Sequence, residues 1–156
     1  MTYSITGLDP APFASMFDRS HDDLVPLRAR RLTANASTGY PCRVSLRDAD
    51  EGEEVLLVHH VSHDVETPYR NAFAIYVRKN AQKPAVYIDE CPPVFAGRPM
   101  ALRGYDATGM LAAARLATAG EADPCIRELL RDPAIAYIDA HNAAHGCFSA
   151  RIERHD

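Results

Sequence analysis

The sequence predicts an α+β fold, a single domain over residues 1–156 with a largely antiparallel β-sheet and two or three helices packed on it. Three observations lead there. Strand-like runs outnumber helical ones and follow one another in consecutive blocks. Tight turns rather than long crossovers join them, and no alternating β-α-β units of the parallel kind occur. The chain has 156 residues, 47% apolar and 24% charged, which suits one hydrophobic core and excludes disorder.

The elements follow in order. Tyr3 to Thr6 is a short apolar strand. Asp9-Pro10 reads as a helix start, the carboxylate capping and the proline supplying a preset φ. Phe13, Met16 and Phe17 then share one helix face. A second start stands at Ser20, with Asp23 as its capping partner, and Pro26 ends that turn. Arg28 to Ala34 is a strand with a polar face. Cys42 to Leu46 alternates apolar and polar, as a strand does. Asp48-Ala49-Asp50-Glu51-Gly52 is a turn.

Glu54 to Val61 is apolar on both faces, which places it centrally in the sheet. Phe73 to Arg78 and Ala85 to Ile88 are further strands, rich in aromatic and branched residues. Arg98 to Tyr105 and Met110 to Thr118 flank Asp106-Ala107-Thr108-Gly109, a hairpin signal, although the Ala-rich second arm also suits a helix. Asp123 caps a helix with Pro124 at its first position, and Ile126, Leu129 and Leu130 are its apolar stripe. Asp132-Pro133 stops it. Ile135 to Ala140 and Cys147 to Glu153 are the last strands.

Charge narrows the function classes. Seventeen basic and 21 acidic residues leave a formal charge of −4, which argues against a general nucleic-acid binder. The basic cluster Arg28-Ala29-Arg30-Arg31 is too short to reverse that and reads as a solvated strand face. The longest apolar run, Ala72 to Val77, is six residues, far short of the ~20 of a membrane span. No basic region followed by an apolar stretch opens the chain, so a cytoplasmic location is expected. Cys42, Cys91, Cys125 and Cys147 form no Cys-x-x-Cys pair, and free thiols are expected. No glycine-rich nucleotide loop is present, and no cofactor is expected.

Three segments carry a resemblance. They are Gly39 to Asp48 (GYPCRVSLRD), Thr67-Pro68-Tyr69-Arg70 running into Ala74 to Arg78, and Ala136 to His141 with Gly146-Cys147 and Arg151. With the opening Ile5-Thr6-Gly7-Leu8 they span nearly the whole chain. Their order and spacing resemble a family of small bacterial proteins known as domain of unknown function 1203. The resemblance implies a single-domain, cytoplasmic, bacterial protein and brings no activity to any residue.

Function therefore has to come from side-chain chemistry. Arg43, Arg70 and Arg151 lie beside the segments richest in Cys, His and Tyr, and Arg78 ends a strand. A guanidinium offers a planar fork that grips a carboxylate or phosphate by two bonds. If Arg43, Tyr69, Arg70, His141 and Arg151 converge, they form a pocket for an acidic small molecule or a peptide end. The plainer account pairs these arginines with surface carboxylates.

A second possibility is a cysteine-dependent hydrolase or transferase. Cys42 neighbours Arg43, and Cys147 follows His145 by two residues, with Asn142 or Asp139 as an orienting group. Neither thiol is flanked by a nucleophile elbow. A third is a homodimeric interaction module that covers its open strand edges. Metal ligation is not expected. His59 and His63 share a strand face but stand ~13 Å apart by the strand rise, the pair His141 and His145 lies between two strands, and Asp48-x-Asp50-x-Gly52 lacks the later ligands of a calcium loop.

Overall fold

The computed structural model describes residues 1–156. In chain order the elements are β1 (Thr2–Thr6), α1 (Ala11–Ala14), α2 (His21–Leu24), β2 (Ala29–Thr33), β3 (Glu54–His63), β4 (Asn71–Arg78), β5 (Val86–Ile88), β6 (Met100–Tyr105), β7 (Leu111–Ala117), α3 (Ala122–Leu130), β8 (Tyr137–Asn142) and β9 (Phe148–His155). The α+β class and the antiparallel pairing are as the sequence predicts. The strands divide, however, between two sheets. One has six strands in the order β5-β1-β9-β8-β6-β7 and the other has three in the order β2-β3-β4. Every ladder in both is antiparallel.

Each sheet has its own core. Against the larger sheet, Ile126, Leu129 and Leu130 of α3 meet Leu102, Ile138, Ala140 and Ile152, all buried. Full burial of each leucine or isoleucine among them contributes about 1.5–3 kcal/mol. Against the smaller sheet, Phe13, Phe17 and Leu24 cover Leu56, Val58, Ile75 and Val77. The doubly apolar β3 is indeed central, but in the three-stranded sheet.

The helix starts follow the capping chemistry in part. Asp9 Oδ1 accepts from the Ala11 N–H at 2.9 Å, and Ser20 Oγ accepts from the Asp23 N–H at 3.2 Å. Asp123 caps nothing. It lies inside α3, where it accepts from the Tyr3 hydroxyl at 2.6 Å and pairs with Arg127 one turn on. Its carboxylate joins the first strand to the helix instead of starting the helix.

The largest departure is residues 41–48. The alternation from Cys42 to Leu46 reads as a strand, yet the segment folds back on itself. The Cys42 N–H donates to the Arg47 carbonyl, the Leu46 N–H to the Cys42 carbonyl, and Pro41 bridges Asp48. Leu46 makes the turn in the left-handed region, at φ 53°. That conformation costs a leucine about 1–2 kcal/mol, and full burial of its side chain offsets it. The apolar positions alternate because they serve different cores: Cys42 and Val44 the smaller sheet, Leu46 the larger.

The loop is also seated on Gly7. A Cβ at that position would stand 2.0 Å from the Val44 carbonyl oxygen, a backbone atom that has no freedom to retreat. Gly7→Ala should therefore destabilise the fold by roughly 3 kcal/mol or more, read as a lowered urea midpoint. A change below about 0.5 kcal/mol would show that the loop does not rest on Gly7.

Candidate functional site

Residues of both sheets and of the 41–48 loop meet around one cavity of about 360 Å³. The loop supplies Arg43, β4 supplies Phe73 and Tyr76, and β3 supplies Leu57. The remaining wall is the turn before β6, with Arg98 and Pro99, the end of β8, with Asn142, and the turn from β8 to β9, with His145 and Cys147. No Asp or Glu lines it.

Arg43 is the largest fully buried side chain of the protein, 2% exposed. Its Nε donates to the Phe148 carbonyl at 2.7 Å, its Nη1 to the Pro41 carbonyl and its Nη2 to the Cys147 sulfur at 3.0 Å. No carboxylate pairs with it. Burial pulls its pKa down from the ordinary arginine value, and the nearby Cys147 sulfur works in the opposite direction. The other buried arginine, Arg78, contrasts with it. Glu53 grips that guanidinium with Nη2–Oε1 at 2.5 Å, and the same contact holds the Glu53 carboxyl down at about 2. Arg98 is likewise paired, its Nη2 donating to both Asp48 oxygens at 2.9 Å. Arg43 is thus the one guanidinium in the cavity wall without an acidic partner.

Cys147 sits beside it, 8% exposed. Its sulfur accepts from Arg43 Nη2 and, at 3.4 Å, from Asn142 Nδ2. Asn142 is 7% exposed, and its Oδ1 is buried without a partner. His145 is exposed at the edge of the same cavity.

The other expected site residues lie elsewhere. Cys42 is fully buried in the smaller core, where its sulfur accepts from the backbone N–H groups of Val44, Ser45 and Arg78 at 3.3–3.4 Å. Tyr69 and Arg70 border a separate shallow depression with Arg103 and Tyr105. Arg70 pairs there with exposed Asp64 at 2.5 Å, a contact that contributes little. Arg151 is clamped to fully buried Asp139 by two bonds of 2.8 and 2.9 Å, and its guanidinium lies 4.3 Å over the Tyr137 ring. The five residues expected to form one anion pocket are not brought together, and only Arg43 reaches the cavity. Arg98, Phe73 and Leu57 carried no sequence signal for it.

His141 is fully buried and does not line the cavity. Its Nδ1 faces the Gly146 carbonyl at 2.9 Å, so Nδ1 carries the hydrogen, and Nε2 has no partner. A second histidine, His63, bridges the sheets. Its ring nitrogens meet the Tyr69 carbonyl and the Tyr137 hydroxyl, both at 2.8 Å, and its ring stacks on Tyr105. No group of three or more His, Cys, Asp or Glu gathers as a metal ion would need. No helix is long and apolar enough to cross a membrane.

Comparison with known proteins adds one finding. A family model described as "Protein of unknown function (DUF1203)" matches residues 39–154. No curated protein and no solved structure matches the chain.

The buried histidine makes stability depend on pH. Burial pushes the His141 pKa down to about 4, aided by Arg103 and opposed by the Gly146 carbonyl and Asp139. The unfolded chain binds the proton near pH 6.5, so stability is full above that value and is lost as pH falls towards 4. The loss is on the order of 3 kcal/mol at 1.36 kcal/mol per unit. Half-buried His60, lowered by burial too, adds to the same window. Urea unfolding between pH 7 and 4 should show this slope, and His141→Gln should flatten it whatever its own stability. An unchanged slope in that variant would remove His141 as the cause.

Proposed function

The chain belongs to the DUF1203 family of proteins of unknown function, and for this member we propose a binding role: the cavity takes a small organic acid with an apolar body. One observation carries the reading. Arg43 is buried, unpaired with any carboxylate, and built into the wall of a cavity that holds no acidic residue.

An isolated buried cation is costly by several kcal/mol unless an anion answers it. Two carbonyls and a sulfur occupy three of the five guanidinium N–H groups. One N–H remains on Nη1 and one on Nη2, and a carboxylate has two oxygens to receive them. The rest of the wall is largely apolar, with Leu57, Phe73, Tyr76 and Pro99 available to pack a hydrocarbon or ring. The unpartnered Asn142 Oδ1 favours a ligand that also carries an N–H or O–H donor near its acid group.

Thermal unfolding of the full chain against matched pairs, butyrate with butyramide and benzoate with benzamide, tests this. At 100 times its Kd an acid stabilises by about 2.7 kcal/mol, or roughly 5–10 °C for a chain of this size. The acids should raise Tm and the amides should not. Equal responses within each pair, or no response to either acid at millimolar concentration, would overturn the reading. Arg43→Met should abolish the response, and Arg43→Lys should weaken it, since a point charge lacks the fork.

A further inference from the structure

We infer that Cys147 is a nucleophile directed at small acids that carry an electrophilic carbon next to their carboxylate. The inference rests on the acid-binding reading above and adds the reacting atom and the substrate class. Among the four cysteines Cys147 alone lines the cavity. Cys42 is sealed in a core under three backbone donors. Cys91 faces the Tyr3 hydroxyl at 4.0 Å, and burial pushes its thiol up. Cys125 lies on α3, half-buried.

Three features converge at the sulfur. Arg43 and Asn142 both donate to it, from 3.0 and 3.4 Å. Together they fix the sulfur in the cavity wall. Asn142 keeps a buried oxygen unpaired at the same place, an acceptor left over beside the thiol. The guanidinium nitrogen that touches the sulfur also carries one of the free N–H groups. A carboxylate oxygen held at about 2.8 Å from that nitrogen sets the adjacent carbon beside Cys147, so binding and attack share one anchor.

The step balances within the site and its substrate. The sulfur forms a bond to the carbon next to the carboxylate, the bond from that carbon to the leaving group breaks, and the leaving group departs with its electron pair. The thiol proton passes to solvent at the mouth. Arg43 keeps its charge throughout and acts as the positioning group.

Iodoacetate and iodoacetamide distinguish this from an ordinary thiol. Both alkylate sulfur and release iodide, but only iodoacetate carries the anion. The full chain is treated with each at neutral pH, and the rate at every cysteine is followed by peptide mass mapping. The ratio of the iodoacetate to the iodoacetamide rate should be roughly tenfold or more higher at Cys147 than at Cys91 and Cys125. Benzoate or butyrate should protect Cys147 alone.

A ratio at Cys147 equal to that of the other cysteines overturns the inference. Tm and alkylation separate the two readings, because Tm reads binding alone. If acids raise the Tm of the wild-type chain while iodoacetate shows no preference for Cys147, acid binding stands and the nucleophile falls. If no acid raises Tm and none protects Cys147, the acid-binding reading has failed, and an anion-directed thiol falls with it. Protection of the wild-type thiol by acids keeps the test decisive even where Arg43→Met does not fold.

Discussion

The arrangement turns on one buried charge. The Arg43 side chain holds the carbonyl of Pro41 in its own loop and the carbonyl of Phe148 at the start of β9. Its backbone does as much. The Arg43 N–H donates to Tyr76 in β4, and its carbonyl accepts from Leu8 just after β1. One residue therefore fastens a strand of each sheet and the chain that runs between them. Without the guanidinium, two buried carbonyls would lose their donor, at about 1–3 kcal/mol each. The cavity follows from the same constraint, since its wall is drawn from the segments that Arg43 gathers.

A second buried pair has a different character. Asp139 and Arg151 stand opposite each other in the β8–β9 ladder, and the carboxylate is fully buried. Tyr137, Tyr105 and His63 continue this polar layer towards the smaller sheet. Alternation places Tyr137, Asp139 and His141 on the face of β8 opposite Ile138 and Ala140, which belong to the helix-side core. The larger sheet thus has an apolar face towards α3 and a polar face on the other side, bonded except at His141 Nε2. A matched charge pair there opposes a slip by one residue, which would bury an unpaired ion.

Much of the fold was legible because it is local. Period-two runs located the strands to within about three residues at either end, and the Ser20 cap was readable from one side chain and its neighbour three residues on. The split into two sheets was not legible, because pairing is decided between segments far apart in sequence. The 41–48 loop misled for a physical reason: alternation records which side chains are buried, and it is the same whether they face one core or two. At the site, Arg43 and Cys147 were visible as an arginine and a thiol in segments of unusual composition. That Arg43 lacks a carboxylate was not visible, since its neighbour Arg98 takes Asp48 from 50 positions away. Arg151 was the opposite case. Its partner Asp139 lies 12 residues back across a short turn, and pairing the two predicted strands would have exposed the match.

The place of β1 in the larger sheet has a consequence for how the chain comes together during synthesis. This strand is made first, yet its two neighbours are β5 and β9, and Thr2 faces His155 across the ladder. One edge can pair once β5 has been made, but the edge that takes β9 stays open until nearly all of the rest is translated. The Arg43 contact waits equally long, because its acceptor at Phe148 lies 105 residues downstream. The helices over the smaller sheet, and that sheet itself, are complete by Arg78 and are free to form early on the ribosome. The larger sheet closes only when the last strand emerges, a topology of long-range pairings that folds slowly. The cavity is thus among the last features to exist, and it arises in the same event that closes the larger sheet.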